Sequence, residues 1–178
     1  MPHIHPKQSI FTIIGIITLI LLTASCSSTD TCQEDLSNSN LKATLYRNIY
    51  DDVSESYTSQ KFSIPVTICG IGSDSLLYDS TYTSSIAIPL NLLDSVSLYS
   101  FTTFHKINDS TTTVYTDTIQ IEYSNTLQLI SLECGCATMH TITSVRSTVH
   151  AVDSCVIENA DVNYQTTHNN VNIFIHNQ

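Results

Sequence analysis

The sequence predicts an all-β protein, a single antiparallel β-sandwich of about eight strands with immunoglobulin-like general architecture. Ser, Thr and Tyr are frequent and Trp is absent, a mixture that favours exposed strands and turns over helices. Short segments of alternating apolar and polar residues recur between clusters of Asn, Asp and Gly, as in half-buried strands. This spacing, with no long helical periodicity, is typical of a sandwich.

The strand candidates follow one another along the chain. In the first, Leu41, Ala43 and Leu45 alternate with polar side chains. The others are residues 62–71, 85–90, 96–105, 113–123, 127–134, 139–147, 155–157 and 171–176. Pro65 and Pro89 lie inside candidates, and because proline cannot donate to a ladder we expect each at an edge or a bulge. Residues 147–153 are the one candidate for a short helical turn.

The first 25 residues have the layout of a secretory signal peptide. Lys7 precedes an uncharged apolar run at residues 10–22, which is shorter than the roughly 20 residues that span a bilayer. The stretch Leu22-Thr23-Ala24-Ser25-Cys26 resembles the lipobox of bacterial lipoproteins. The resemblance implies cleavage before Cys26 and acyl chains on that cysteine, which would hold the protein to a membrane. The alternative is an ordinary signal peptide that ends in an unrelated cysteine.

The rest of the chain divides into a tether and one domain. Residues 26–40 carry the acylated cysteine and are polar without periodicity, as in a flexible tether. Residues 41–178 form the β-sandwich domain. Ser27 follows the cysteine, and not the Asp that retains some lipoproteins at the inner membrane. We therefore expect an outer-membrane lipoprotein of the cell envelope, with the periplasmic or surface face left open.

Charge excludes one class of partner. After residue 25 the chain has five Lys or Arg against all sixteen acids, a formal charge near −11. Nucleic acids and anionic headgroups bind clustered basic residues, so the sequence disfavours nucleic-acid binding.

Several segments resemble a family of uncharacterised cell-envelope lipoproteins of the Bacteroidota, classed as a domain of unknown function. Those that carry the resemblance are Cys26 with Asp30 and Cys32, residues 41–46, residues 117–123, residues 131–135 with the pair Cys134-Gly135, Val152-Asp153 ahead of Val156-Ile157, and residues 172–175. Cys136 stands where the family more often has an aromatic residue. The resemblance implies lipoprotein status and brings no known activity.

Five cysteines remain in the folded part, and outside the cytoplasm disulfides are expected. An odd number allows at most two bridges. We expect Cys32 to pair with Cys134, which would tie the start of the domain to a central strand. A second bridge would join two of Cys69, Cys136 and Cys155.

A metal site is the alternative use of two of these cysteines. Cys134, Cys136 and His140 form C-x-C-x3-H, and residues i and i+2 of a strand face the same way, so both sulfurs could reach one ion. The oxidising compartment and the lack of an identified fourth ligand disfavour this site, and we expect no metal and no other cofactor.

Asp followed by Ser or Thr and then a small aliphatic residue or Thr occurs five times, which exceeds chance. The tripeptide resembles the O-glycosylation acceptor of exported Bacteroidota proteins. An Asp turn that opens a strand produces the same tripeptide for conformational reasons, and both interpretations stay open. The candidate acceptors are Ser75, Ser80, Ser95, Ser110 and Thr118.

No nucleophile elbow or phosphate-binding loop is present, and the chain has only four glycines, so the sequence predicts no enzyme. We expect a non-enzymatic binding or structural module with an envelope protein or glycan as partner. The alternative is a metal-dependent enzyme or metal-binding protein that uses Cys134, Cys136 and His140. Clustering of Tyr78, Tyr82, Tyr99 and Phe101 on one exposed surface would favour glycan or protein binding.

Overall fold

Strands dominate the computed structural model, which describes residues 39–73, 75–108, 111–132, 134–165 and 167–176. Within these residues there are eleven strands and no helix, and so no helix that could span a membrane. The strands are β1 (Asn40–Asp51), β2 (Ser56–Lys61), β3 (Ile64–Gly70), β4 (Leu76–Thr83), β5 (Ser85–Pro89), β6 (Val96–Asn108), β7 (Thr111–Ser131), β8 (Gly135–Ser147), β9 (Val152–Ile157), β10 (Asp161–Val162) and β11 (Val171–Ile175).

The strands form two sheets, and the predicted all-β sandwich is confirmed. The first sheet has the order β2-β1-β11-β9, with β5 also paired to β1. The second has the order β10-β8-β7-β6-β3-β4. All pairs are antiparallel except β1 with β11, where Ala43 is opposite Val171.

The core lies between the sheets because each inner strand alternates buried and exposed residues. The first sheet contributes Leu41, Leu45 and Ile173, each at most 1% exposed. The second sheet contributes Phe101 and Ile121, likewise at most 1% exposed. Burial of a large apolar side chain stabilises the fold by about 1.5–3 kcal/mol.

Three edge strands, β2, β4 and the two-residue β10, were not among the sequence candidates. Every residue of β2 is exposed, and β4 is exposed except at two half-buried positions. An edge strand with solvent on both faces has no apolar alternation for sequence reasoning to detect. The separation of candidates 113–123 and 127–134 was also wrong, because β7 runs through residues 124–126 and pairs with β8 as far as Ser131.

The two prolines occupy positions with a strand on only one side. Pro89 is the last residue of β5, which pairs with β1 alone. Pro65 is opposite Tyr82 of β4, and β3 begins to pair with β6 at the next residue, Val66. Neither proline therefore interrupts a strand paired on both sides.

Asp117 of β7 is fully buried and holds the connection from β8 to β9. Its carboxylate accepts hydrogen bonds from the Thr148 hydroxyl at 2.7 Å and the Ala151 N–H at 2.7 Å. It also accepts from the N–H groups of His150 and Val152, at 2.9 and 3.0 Å, and from His150 Nδ1 at 3.0 Å. The short helical turn expected at residues 147–153 is absent because this carboxylate binds the N–H groups of the segment.

We expect Asp117→Asn to lower the free energy of unfolding at pH 7 by about 2–4 kcal/mol. The Asn amide nitrogen is a donor, so it cannot accept the hydrogen bonds that one carboxylate oxygen accepts and leaves those N–H groups without a partner. Urea denaturation measures this value. Asp79→Asn removes an exposed carboxylate of β4 and is the control, with an expected change below about 0.5 kcal/mol.

The same interaction predicts a pH dependence. Burial alone would raise the pKa of Asp117, but the hydrogen bonds from Ala151, Thr148 and His150 outweigh burial and lower it. A lowered pKa contributes stability above the unfolded value of about 3.9 and loses it as pH falls through the folded value. The wild type should therefore lose its advantage over Asp117→Asn between about pH 5 and pH 2. A constant difference over that range would contradict this assignment.

Candidate functional site

A cleft of about 950 Å³ opens at one end of the sandwich, where strands of both sheets meet. We call it the aromatic–basic cleft. Arg47 enters it from β1, Tyr82 from β4 and Tyr115 from β7. The remaining lining residues are Phe62, Ser63, Ile64, Pro65, Phe104, His105, Lys106, Ile107 and His176. The volume lies within the range of pockets that hold small organic ligands.

Arg47 is the central cation of this cleft. Its guanidinium carbon lies 3.4 Å from the centroid of the Phe62 ring, a cation–π contact. Its Nε atom is buried and has no hydrogen-bond partner among the described residues. No carboxylate of the described residues forms an ion pair with it. Burial lowers the pKa of Arg47, but the group is charged at any physiological pH.

His105 lies beside Arg47 in the cleft. Its Nε2 atom is 3.2 Å from the Thr103 hydroxyl, and its ring meets Tyr115 edge-on with centroids 5.6 Å apart. Burial and the positive charge of Arg47 both lower the pKa of His105. The imidazole is therefore mainly neutral at pH 7 and can donate one N–H to a ligand.

The lining of the cleft contrasts in charge with the rest of the protein. Among the described residues it includes Arg47, Lys106 and two histidines and no Asp or Glu, although the chain has a formal charge of −10. The second histidine, His176, is bonded to Asp153 at 2.7 Å. The cleft is thus a local cationic site on an acidic protein.

The described residues begin at Ser39, just before the end of β1 that lies away from the cleft. The Ser39 hydroxyl donates to the Thr138 carbonyl at 2.9 Å, and Asn40 is opposite Pro89. Arg47 lies seven residues further along β1, or about 23 Å at strand spacing. The cleft and the chain entry therefore lie toward opposite ends of this strand.

Residues 65–175, more than half of the chain, match a protein family described as a family of unknown function, DUF6452. The chain belongs to this family. No curated protein and no solved structure matches it. Within the DUF6452 match lie Asp117 and the cleft residues Tyr82, His105 and Tyr115, whereas Arg47 precedes it. The predicted resemblance to a family of unknown function is confirmed, while its lipoprotein and Bacteroidota aspects stay predictions.

The cysteines of this DUF6452 protein pair less than expected. Cys134 is disulfide-bonded, and its expected partner Cys32 lies outside the described residues. Cys69, Cys136 and Cys155 are free, so the second bridge was wrong.

The fold explains why Cys136 lies apart from the other two thiols. Two strands, β6 and β7, separate Cys69 on β3 from Cys136 on β8, about 14 Å against the roughly 4–7 Å that a disulfide allows between Cα atoms. Cys155 hydrogen-bonds to Ser147 at the far end of β8, about 35 Å from Cys136.

The alternative metal site at Cys134, Cys136 and His140 was also wrong. Cys134 has no free thiolate, and Cys136 and His140 lie four residues apart on one strand, or about 13 Å. His140 is 1% exposed, and its Nδ1 donates to Asn125 Oδ1 at 2.7 Å. In the part of the chain that the structure describes, no three His, Cys, Asp or Glu side chains could hold one metal ion.

The four aromatic residues whose clustering on one exposed surface would have favoured glycan or protein binding do not share such a surface. Tyr99 and Phe101 are 6% and 0% exposed and belong to the core, and the Tyr78 hydroxyl accepts the Ala87 N–H. Only Tyr82, at 72%, faces solvent. Successive side chains of a strand point to opposite faces of the sheet, so the position of each aromatic residue along its strand decides whether it enters the core.

Three glycosylation candidates, Ser75, Ser80 and Ser95, are exposed. Ser110 lies outside the described residues. Thr118 is half-buried on β7, and the Asp117 of its tripeptide is engaged in the core. The exposed serines fit an acceptor role better than Thr118 does.

Asp117 and His150 form the arrangement closest to catalytic groups. The His150 side chain is 60% exposed, and its Nδ1 contacts the buried carboxylate. No described hydroxyl or thiol hydrogen-bonds to its Nε2. Burial raises the pKa of the Cys155 thiol to about 11, so this cysteine is an inert thiol at neutral pH. The contact between Asp117 and His150 therefore serves to hold the connection from β8 to β9. The aromatic–basic cleft is the better candidate for a functional site.

Sequence reasoning missed the cleft because its members come from six separate segments. A weak signal was present in the sequence Tyr46-Arg47, where β1 departs from alternation after Leu45. Nothing in the spacing links Arg47 to Phe62 or His105, which only the sheet topology brings together.

We expect Arg47→Met to raise the pKa of His105, because the substitution removes the nearby positive charge that disfavours protonation. A proton NMR titration of the histidine ring resonances measures this shift. Lys61→Met, which removes a cation on the neighbouring strand β2 outside the cleft lining, is the control. An unchanged or lower pKa in Arg47→Met would show that the two groups are not electrostatically coupled.

Proposed function

We propose that this protein is a non-enzymatic binding module of the cell envelope, held to a membrane by acyl chains on Cys26, and that the aromatic–basic cleft is its binding site. The main observation in support of this site concerns Arg47. It is a partly buried cation that lines an open cleft and has no anionic partner among the described residues. Arg47 is half-buried and lines the open cleft, so its charge is accessible there and an anionic ligand would supply the missing partner.

The anchor rests on residues outside the described part of the chain. The signal peptide and the lipobox-like Leu22 to Cys26 support lipidation at an outer membrane, on either face. The chain enters the described domain at Ser39, at the end of β1 away from the cleft.

We also propose that Cys32 is the partner of Cys134. Seven residues separate Cys32 from Ser39, and an extended chain of that length spans up to about 24 Å. Cys134 lies four residues before Thr138, or about 13 Å along β8. Because Ser39 contacts the Thr138 carbonyl, Cys32 can reach Cys134.

The intact mass of protein purified from its native envelope tests the anchor. We expect the mass of residues 26–178 plus acyl chains, an increase on reduction equal to the hydrogens that open one disulfide, and hexose increments if Ser75, Ser80 or Ser95 is glycosylated. Cys26→Ser should yield protein without acyl chains. An unacylated mass for the wild type would overturn the lipid anchor.

Photocrosslinking in intact envelopes tests the cleft as a binding site. A photoreactive amino acid that replaces Tyr82 should capture a defined envelope component. The same amino acid in place of Val149 is the matched control, since these side chains are 72% and 73% exposed and Val149 does not line the cleft. Equal capture at both positions, or none at Tyr82, would contradict binding in the cleft.

A further inference from the structure

We propose that the aromatic–basic cleft binds an acidic glycan, with Arg47 and His105 holding a sugar carboxylate and the neighbouring aromatic rings packing against the sugar ring. This inference rests on the proposed binding function and specifies its ligand. It is carried by three properties of the cleft: its charge, its limited number of cations and its aromatic lining.

The charge of the cleft requires an anionic group in the ligand. The planar guanidinium of Arg47 presents paired donors that match the two oxygens of a carboxylate. The Phe62 ring supports one face of this guanidinium and leaves its edge for hydrogen bonding. His105 adds a neutral N–H donor from the adjacent strand of the second sheet.

The small number of cations favours a single carboxylate over a polyphosphate or a nucleic acid. Arg47 and Lys106 are the two strong bases in the lining. The β1–β2 turn beyond Arg47 carries Asp51, Asp52 and Glu55, which would repel a densely charged ligand. A ligand with widely spaced single charges avoids that repulsion.

The aromatic lining favours a sugar as the body of the ligand. Phe62, Phe104 and Tyr115 are half-buried and Tyr82 is exposed, so the cleft presents rings together with hydroxyl groups. Apolar ring faces bury the C–H side of a sugar while hydroxyl and carboxylate groups reach polar partners. A volume of about 950 Å³ is at the upper end of small-ligand pockets, which gives room for more than one sugar residue.

The test is isothermal titration calorimetry of the lipid-free domain with oligosaccharide fragments of polygalacturonate, alginate and hyaluronate, each paired with its neutral methyl ester. We expect at least one acid form to bind and its ester to bind about tenfold or more weakly. Arg47→Met should lower affinity for that acid by about tenfold or more, the usual effect of removing one partner of a buried charge pair. Arg47→Lys keeps the positive charge but loses the paired donors of the planar guanidinium, so this variant should retain part of the affinity for that acid.

Two controls keep the outcome decisive. Lys61→Met should bind as the wild type does, and circular dichroism melting checks that Arg47→Met stays folded. If an acid and its ester bind equally, carboxylate recognition is wrong. If no acidic glycan binds while the Tyr82 position still captures an envelope component, the cleft is a binding site for another class of ligand, such as a peptide. If both experiments fail, the proposed function fails as well.

Discussion

The two sheets of this protein depend on one buried carboxylate. β8 belongs to the second sheet and β9 to the first, so the chain crosses between the sheets at residues 148–151. Among them Ala151 is buried, so its N–H group needs a partner within the protein. Asp117 accepts hydrogen bonds from the N–H groups of His150, Ala151 and Val152 and from the side chains of Thr148 and His150. A carboxylate can accept about four or more hydrogen bonds, whereas a neutral side chain of similar size cannot.

Side-chain hydrogen bonds also hold the loop at residues 91–95, which lies near the start of β1. Asn125 donates to the carbonyls of Leu92 and Asp94 and accepts from His140. The Tyr123 hydroxyl accepts the Asn91 N–H at 2.8 Å. These side chains come from the second sheet and leave Leu93 98% exposed. These hydrogen bonds attach the loop to the second sheet at this end, and the cleft lies toward the other end of β1.

Alternation of apolar residues was enough to predict the class of fold and most inner strands. It located Leu41 to Leu45 and the strands around Phe101 and Ile121, because burial between two sheets imposes a period of two. It could not detect β2 and β4, whose residues contact solvent on both faces. It also could not decide cysteine pairing, since the separation of Cys69 from Cys136 depends on strand order and not on spacing in the sequence.

The cleft could not be predicted from the sequence either, because strand order brings its lining residues together. Arg47 is the residue that makes this cleft a candidate functional site. The contact of Arg47 with Phe62 contributes about 0.5–1 kcal/mol at a partly exposed site. A buried donor left without a partner costs about 1–3 kcal/mol, and the Nε of Arg47 is such a donor. The two magnitudes are similar, so this contact does not by itself decide the stability of the sandwich. Arg47 lines the cleft without a carboxylate partner among the described residues, and an anion bound there would supply the opposite charge.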